Sequence, residues 1–213
     1  MPEEIVENPS AGPSDWFEPL YQQANGNVEQ VPWALPGAVP YLTNWLEQNE
    51  IKGVNRSAVV VGCGLGDDAE ALAAAGFEVT AFDISESAIA WAKKRFPNSA
   101  VHYIAADLFD LPEQWIGAFD LVFDFRTIQA LPLSVRAEVI QNIAALGKKE
   151  GTVLVATYLR KDSEPAGESA PWPLTMAELS EFEKSGLALV KQERFAKGDS
   201  RFRDRILIQY CVS

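Results

Sequence analysis

Three glycines at alternate positions, Gly62, Gly64 and Gly66, close the apolar run Ala58–Val61 and lead directly into Asp67 and Asp68. A buried strand that ends in glycines and turns at once into a helix lets the backbone approach a ligand that side chains would exclude. Two more acids stand at comparable places, Asp83 in Ala81-Phe82-Asp83-Ile84 and Asp107 in Ala105-Ala106-Asp107-Leu108. An acid at the tip of a second strand can accept hydrogen bonds from both hydroxyls of a ribose. On that reading Asp83 takes the ribose with Ile84 beside it, Asp107 takes the exocyclic amine of an adenine, and Ala106 and Leu108 cover the ring faces. The dinucleotide fingerprint would need a third glycine at position 67, where this chain has Asp67 followed by Asp68. Two carboxylates at a helix N-terminus would repel a pyrophosphate. The pattern suits a ligand without phosphate that carries positive charge, and S-adenosylmethionine (SAM), with its ammonium and sulfonium, is such a ligand.

The remaining candidates are aromatic or charged. Trp33 could lay an indole face near the sulfonium, which cation–π attraction would favour; as an anchor of the fold it would look the same. Trp16 and Tyr21 either face substrate or hold their segment down. Phe123 and Asp124 end the fourth strand, near where a methyl group would be transferred. Phe123 is assigned to the cofactor, and Asp124 to substrate or to the methionine ammonium. Arg126 could orient an anionic acceptor or form a surface ion pair. Tyr158, at the end of the fifth strand, and Trp172, in a proline-bearing loop, could wall the pocket. The single His102 lies at the start of its strand, the wrong end for catalysis, and Cys63 and Cys211 read as packing residues. One histidine and two distant cysteines suggest no metal site.

The elements that must position these residues alternate strand and helix. Strands are expected at 58–61, 78–84, 101–106, 119–125 and 152–159, with helices at 67–75, 86–96 and 133–146 between them. A loop over 161–174 leads to a helix opened by the capping-box pattern Thr175-Met-Ala-Glu178. Two last strands, 187–195 and 203–212, are joined by a short polar turn and so form an antiparallel hairpin. This rhythm predicts an α/β fold, a Rossmann-like and mostly parallel sheet with helices on both faces. Residues 1–14 are expected to be a disordered tail, and 15–213 a single domain whose first part, 15–50, folds as helix, loop, helix against it.

Composition narrows the function classes. The net charge is -12 over 213 residues, 47% of them hydrophobic. A nucleic-acid partner would require a dense basic face, and neither Lys93-Lys94-Arg95 nor the arginines of 201–205 supplies one. No apolar run approaches a membrane span of about 20 residues, and the acidic start lacks the features of a targeting peptide. The expected setting is the cytoplasm and the expected partner a small molecule; oligomeric state is not legible.

The chain resembles class I SAM-dependent methyltransferases and, within them, the thiopurine, thiol and halide methyltransferases. The resemblance covers about residues 15 to 212. It rests on Trp16-Phe-Glu-Pro-Leu-Tyr21, Val31-Pro-Trp33, Val60-Val-Gly-Cys-Gly-Leu-Gly66, the run Phe119–Phe125, Ala130-Leu-Pro132 with Arg136, and Ala170-Pro-Trp-Pro-Leu-Thr175. It implies a seven-stranded sheet with a reversed last strand, and an N-terminal segment that covers the cofactor and helps form the substrate pocket. One departure is Ala34-Leu35, where the related enzymes usually carry an acid after the Pro-Trp pair. The expected activity is methyl transfer from SAM to a small acceptor. With no histidine at the strand tips, soft nucleophiles such as thiols are favoured over neutral alcohols. The alternatives are a non-catalytic SAM-binding protein, a methyltransferase acting on an amine or carboxylate, and a nicotinamide-dependent oxidoreductase, against which Asp67 speaks.

Overall fold

The computed structural model describes residues 12–196 and 204–213. Most of the expected tail, residues 1–11, lies outside the described residues, as do residues 197–203, which hold most of the expected turn and the first residue of the expected last strand. The described residues include 12–14, the last part of the expected tail. The Gly12 amide donates to the Asp15 carboxylate at 2.7 Å, and the Phe17 amide to the Ser14 carbonyl at 3.2 Å, so a turn leads into the first helix.

Seven strands form one sheet: β1 Ser57–Val61, β2 Glu78–Asp83, β3 His102–Ala105, β4 Phe119–Phe125, β5 Gly147–Leu159, β6 Leu187–Ala196 and β7 Asp204–Val212. Their order is β3-β2-β1-β4-β5-β7-β6. The first five run parallel, and β7 is antiparallel to both β5 and β6, so the α/β sheet with its reversed last strand is as expected. Because β1 lies between β2 and β4, the chain winds outward in both directions from it. Its carboxyl end is the switch point where a crevice opens.

The helices are α1 Phe17–Ala24, α2 Pro40–Gln48, α3 Asp67–Ala74, α4 Glu86–Arg95, α5 Thr127–Ala130, α6 Arg136–Leu146, α7 Met176–Leu179 and α8 Glu181–Lys184. Thr175 and Glu178 form the capping box foreseen from their spacing. The helix expected from 133 opens instead with a 3-10 turn, Leu133–Val135, and α5 was not anticipated. Strand β5 starts earlier than 152 because Gly147 pairs with Phe119 before the register shifts.

Strand alternation sorts the core into two layers. Val59, Val61, Val122, Val155 and Ile140 pack on one face of the sheet, and Val60, Leu72, Leu121, Phe123 and Leu154 on the other. The N-terminal segment does not behave as one piece. Leu42, Trp45 and Leu46 of α2 are buried in the second layer, each worth about 1.5–3 kcal/mol. Tyr21, Ala24 and Val31 instead make a small separate cluster with Leu65 and Ala88. Only the part before α2 is thinly attached. No helix among the described residues is long and apolar enough to cross a membrane.

Candidate functional site

The glycine loop follows β1 into α3. Gly62, Gly64 and Gly66 all have positive φ. At Gly66, φ is 92° and an added Cβ would stand 2.5 Å from the Tyr103 hydroxyl, so a side chain there meets both strain and collision. The loop is closed from the next strand. Asp83 Oδ2 accepts the Gly64 amide at 2.9 Å and its Oδ1 accepts the Ser85 amide at 3.0 Å. Burial pushes the Asp83 pKa up, and the two backbone amides pull it partly back. Each oxygen keeps a lone pair for a further donor.

Above this edge lies a cavity of about 1560 Å³. That exceeds the ~300–1,000 Å³ of a drug-sized pocket and leaves room for two ligands side by side. Gly62, Gly64, Gly66, Asp83, Ile84, Ala106, Leu108 and Trp33 of the expected cofactor set line it, as do Trp16, Tyr21, Arg126 and Tyr158 of the expected substrate set.

Four assigned residues do not line it. Phe123 is fully buried in the second core layer, and the residue on the same face nearer the strand tip, Phe125, takes the lining position. The pleat has a period of two, so the side chain that reaches the cavity lies one period further on. Asp124 points to the opposite face beneath α5. It is fully buried, and among the described residues no group meets hydrogen-bond geometry to either of its oxygens. Burial raises its pKa to about 7, although Thr127 and Ile128 lie near enough to pull it partly down. Asp107 spends a carboxylate oxygen on the Phe109 amide, 2.9 Å away, which closes its own turn. Trp172 is buried beside the cavity; its amide donates to the Gln129 carbonyl at 2.7 Å, while Ser169, Ala170 and Pro171 form the wall.

The acids at the start of α3 act differently from the expectation. Asp67 is paired with Arg95, whose second guanidinium nitrogen lies 2.9 Å from it, so much of its repulsion toward an anion is neutralised. Asp68 accepts the Val39 amide at 2.7 Å and thereby holds the entrance of α2. Burial, with Asp67 adding to it, raises the Asp68 pKa to about 6 against the pull of the Val39 amide and Arg126.

Aromatic residues roof the cavity. The Trp33 indole N–H donates to the Tyr21 hydroxyl at 2.8 Å, and Trp33 packs edge-on against Trp16, Phe17 and Tyr21 at centroid distances of 5.5, 5.9 and 5.7 Å. Glu18 fastens this roof to the start of α4. Its carboxylate accepts the Ser85 hydroxyl at 2.5 Å, the Ser87 hydroxyl at 2.6 Å and the Ser87 amide at 3.1 Å. Burial would raise its pKa, but these bonds and one from Gln22 outweigh it and bring the value to about 2.

Sequence reasoning missed Glu18, Phe125 and Gln129. The last sits in the otherwise apolar stretch Ile128-Gln-Ala-Leu131, and a polar residue in a run that must be buried was the available signal. His102 is exposed at the amino end of β3, away from the cavity. The thiols of Cys63 and Cys211 are unpaired.

Over 159 residues the chain is 30% identical to the probable thiol methyltransferase 2 of Arabidopsis thaliana, covering 72% of this chain and 65% of that protein. It is 28% identical over 123 residues to a ubiquinone biosynthesis O-methyltransferase of Bordetella bronchiseptica, covering 57% of this chain and 50% of that one. The match thus spans half to two thirds of these relatives' length. In fold, the chain is similar to the 1,6-didemethyltoxoflavin-N1-methyltransferase of Burkholderia thailandensis, whose structure holds S-adenosylhomocysteine. The TM-score is 0.71 at 18% identity, over 98% of this chain and 93% of that one. The sequence profile of thiopurine S-methyltransferases matches residues 23–205, and the chain therefore belongs to the thiopurine S-methyltransferase family.

Proposed function

We propose that this protein is a SAM-dependent methyltransferase that acts on a small molecule, and that the acceptor atom is a thiol or another soft nucleophile. The observation that carries the reading is Asp83. Its carboxylate is buried, accepts the Gly64 amide of the glycine loop and the Ser85 amide at the start of α4, and lines the large cavity. A ribose diol is a donor pair that would satisfy it without phosphate. When bound, SAM supplies a methyl group already activated by a sulfonium leaving group.

The chain's own tasks are then binding, positioning and exclusion of water. The glycine loop and Asp83 hold the nucleoside, and Ile84, Ala106 and Leu108 cover its base. The roof formed by Trp16, Phe17, Tyr21 and Trp33 shields the reacting atoms. The only histidine stands at the wrong end of β3, and a thiolate needs no base held by the protein. The thiol methyltransferase among the relatives supports the choice of sulfur. A cytoplasmic setting is consistent with the two unpaired thiols.

The test is a panel of acceptors read out by S-adenosylhomocysteine release, followed by pH–rate profiles for two thiols of different pKa. The inflection should follow the thiol's own pKa. One inflection shared by both thiols would mean that a protein group removes the proton. A protein that binds neither SAM nor S-adenosylhomocysteine would end the methyltransferase reading.

A further inference from the structure

Two side chains from one short stretch, Arg126 and Gln129, line the same cavity and present only donors to it. Gln129 is 1% exposed. Its side-chain oxygen accepts the Thr157 hydroxyl and the Tyr158 amide, each at 2.9 Å. A backbone N–H can only donate, so the atom facing it must be Oε1, and the carboxamide nitrogen is the end turned the other way. No hydrogen bond from that nitrogen occurs among the described residues. An amide nitrogen with two protons and no acceptor in the protein, on a side chain that lines the cavity, is free to donate to a ligand there.

Arg126 supplies charge at the same wall. Its φ is 70°, a left-handed conformation that costs an L-residue energy and is retained where the surrounding structure or function demands it. One guanidinium nitrogen donates to the Tyr158 hydroxyl at 2.8 Å, and the group lies over the rings of Phe125 and Tyr158 at 4.4 and 5.0 Å. Its Nε is buried without a partner, and no carboxylate forms an ion pair with it among the described residues. Asp68 lines the same cavity but is held by the Val39 amide. Burial lowers the Arg126 pKa, and the like charge of Arg205 adds to that. In a chain of net charge -12 this positive pole is local, and nothing in the overall field would place it there. A guanidinium partly withdrawn from water without an ion pair is better satisfied once an anion reaches it.

We propose that Arg126 and Gln129 form an anion subsite, and that the acceptor is a small thiol bearing a carboxylate, which this subsite holds while the sulfur faces the cofactor. The inference rests on the methyltransferase reading and names its substrate class. The carboxylate is a handle and takes no part in the bond changes. The thiol proton passes to water, the thiolate forms the new sulfur–carbon bond, and the electron pair of the broken sulfonium–methyl bond stays on the departing thioether.

The experiment is calorimetric titration of the protein loaded with S-adenosylhomocysteine, using 3-mercaptopropionate, 2-mercaptoethanol and propionate. The carboxylated thiol should bind about tenfold or more tighter than the neutral one, the range expected of hydrogen bonds to a charged group. Propionate should compete with it. Arg126→Gln should bring the ratio of the two thiols close to one. Gln129→Glu should do the same, since it keeps an oxygen for Thr157 and Tyr158 but removes the amide donor. Equal affinities of the two thiols for the unaltered protein, no affinity for either, or a preference that survives both substitutions would each overturn the proposal. If the protein takes up no S-adenosylhomocysteine, the methyltransferase reading fails instead. Propionate binding by the ligand-free protein, and its loss in Arg126→Gln, would then still decide whether the anion subsite exists.

Discussion

Replacing Asp68 by asparagine removes a charge and keeps an acceptor. The carboxylate sits against the Val39 amide at 2.7 Å, and an asparagine oxygen can take the same bond. Burial moves the pKa from 3.8 to about 6 in the folded protein. A folded value above the unfolded one means that the native state binds the proton more tightly. The stabilisation from this group is therefore fully present below pH 3.8 and is lost as the pH rises through about 6. Keeping the carboxylate ionised at pH 8 then costs on the order of 3 kcal/mol, which the asparagine variant escapes. For a domain of this size that is about 6–12 °C in melting temperature. Thermal unfolding of both proteins in the absence of ligand, from pH 4 to pH 8, should show curves that nearly coincide at the acid end, separate between pH 4 and pH 6 and keep a constant gap above it. A variant no more stable than the parent at pH 8, or a gap independent of pH, would refute the view that this carboxylate is held ionised at a cost. A cationic ligand in the cavity should repay part of that cost, so SAM should raise the parent's melting temperature more than the variant's at pH 8.

Asp83→Ala removes the acceptor assigned to the ribose and orphans the Gly64 and Ser85 amides. Equilibrium dialysis should show S-adenosylhomocysteine bound about 1–3 kcal/mol more weakly, and unchanged affinity would remove Asp83 from the site. Glu18→Ala cuts the three bonds that tie α1 to Ser85 and Ser87. Limited proteolysis should then cleave faster between residues 16 and 35, and bound S-adenosylhomocysteine should slow cleavage in the parent; rates indifferent to ligand would make the roof a static part of the fold. Asp124→Asn should raise stability above pH 7 and leave it unchanged near pH 4, because burial holds the parent carboxyl at a pKa of about 7. Chemical denaturation at the two pH values checks the sign.

The strand–glycine–helix turn at Val61 to Asp67, Asp83 at the tip of β2 and the closing hairpin were legible in the sequence because each is a local pattern. A buried parallel strand must be apolar along its length, a left-handed turn selects glycine, and a short connection can only return antiparallel. These determine the fold and where its ligand edge lies. Other features depend on partners far along the chain. The pairing of Asp67 with Arg95, of Glu18 with Ser85, and of Gln129 with Thr157 joins residues 28, 67 and 28 positions apart. On β4, Phe123 and Phe125 share a face, and distance from the strand tip decided which of them lines the cavity, while the parity of the pleat turned Asp124 to the other face. A carboxylate or carboxamide reads the same in a sequence whether it meets a ligand or another part of the chain. Only the tertiary structure shows which of its atoms are already engaged, because hydrogen-bond capacity is spent in space and not along the chain.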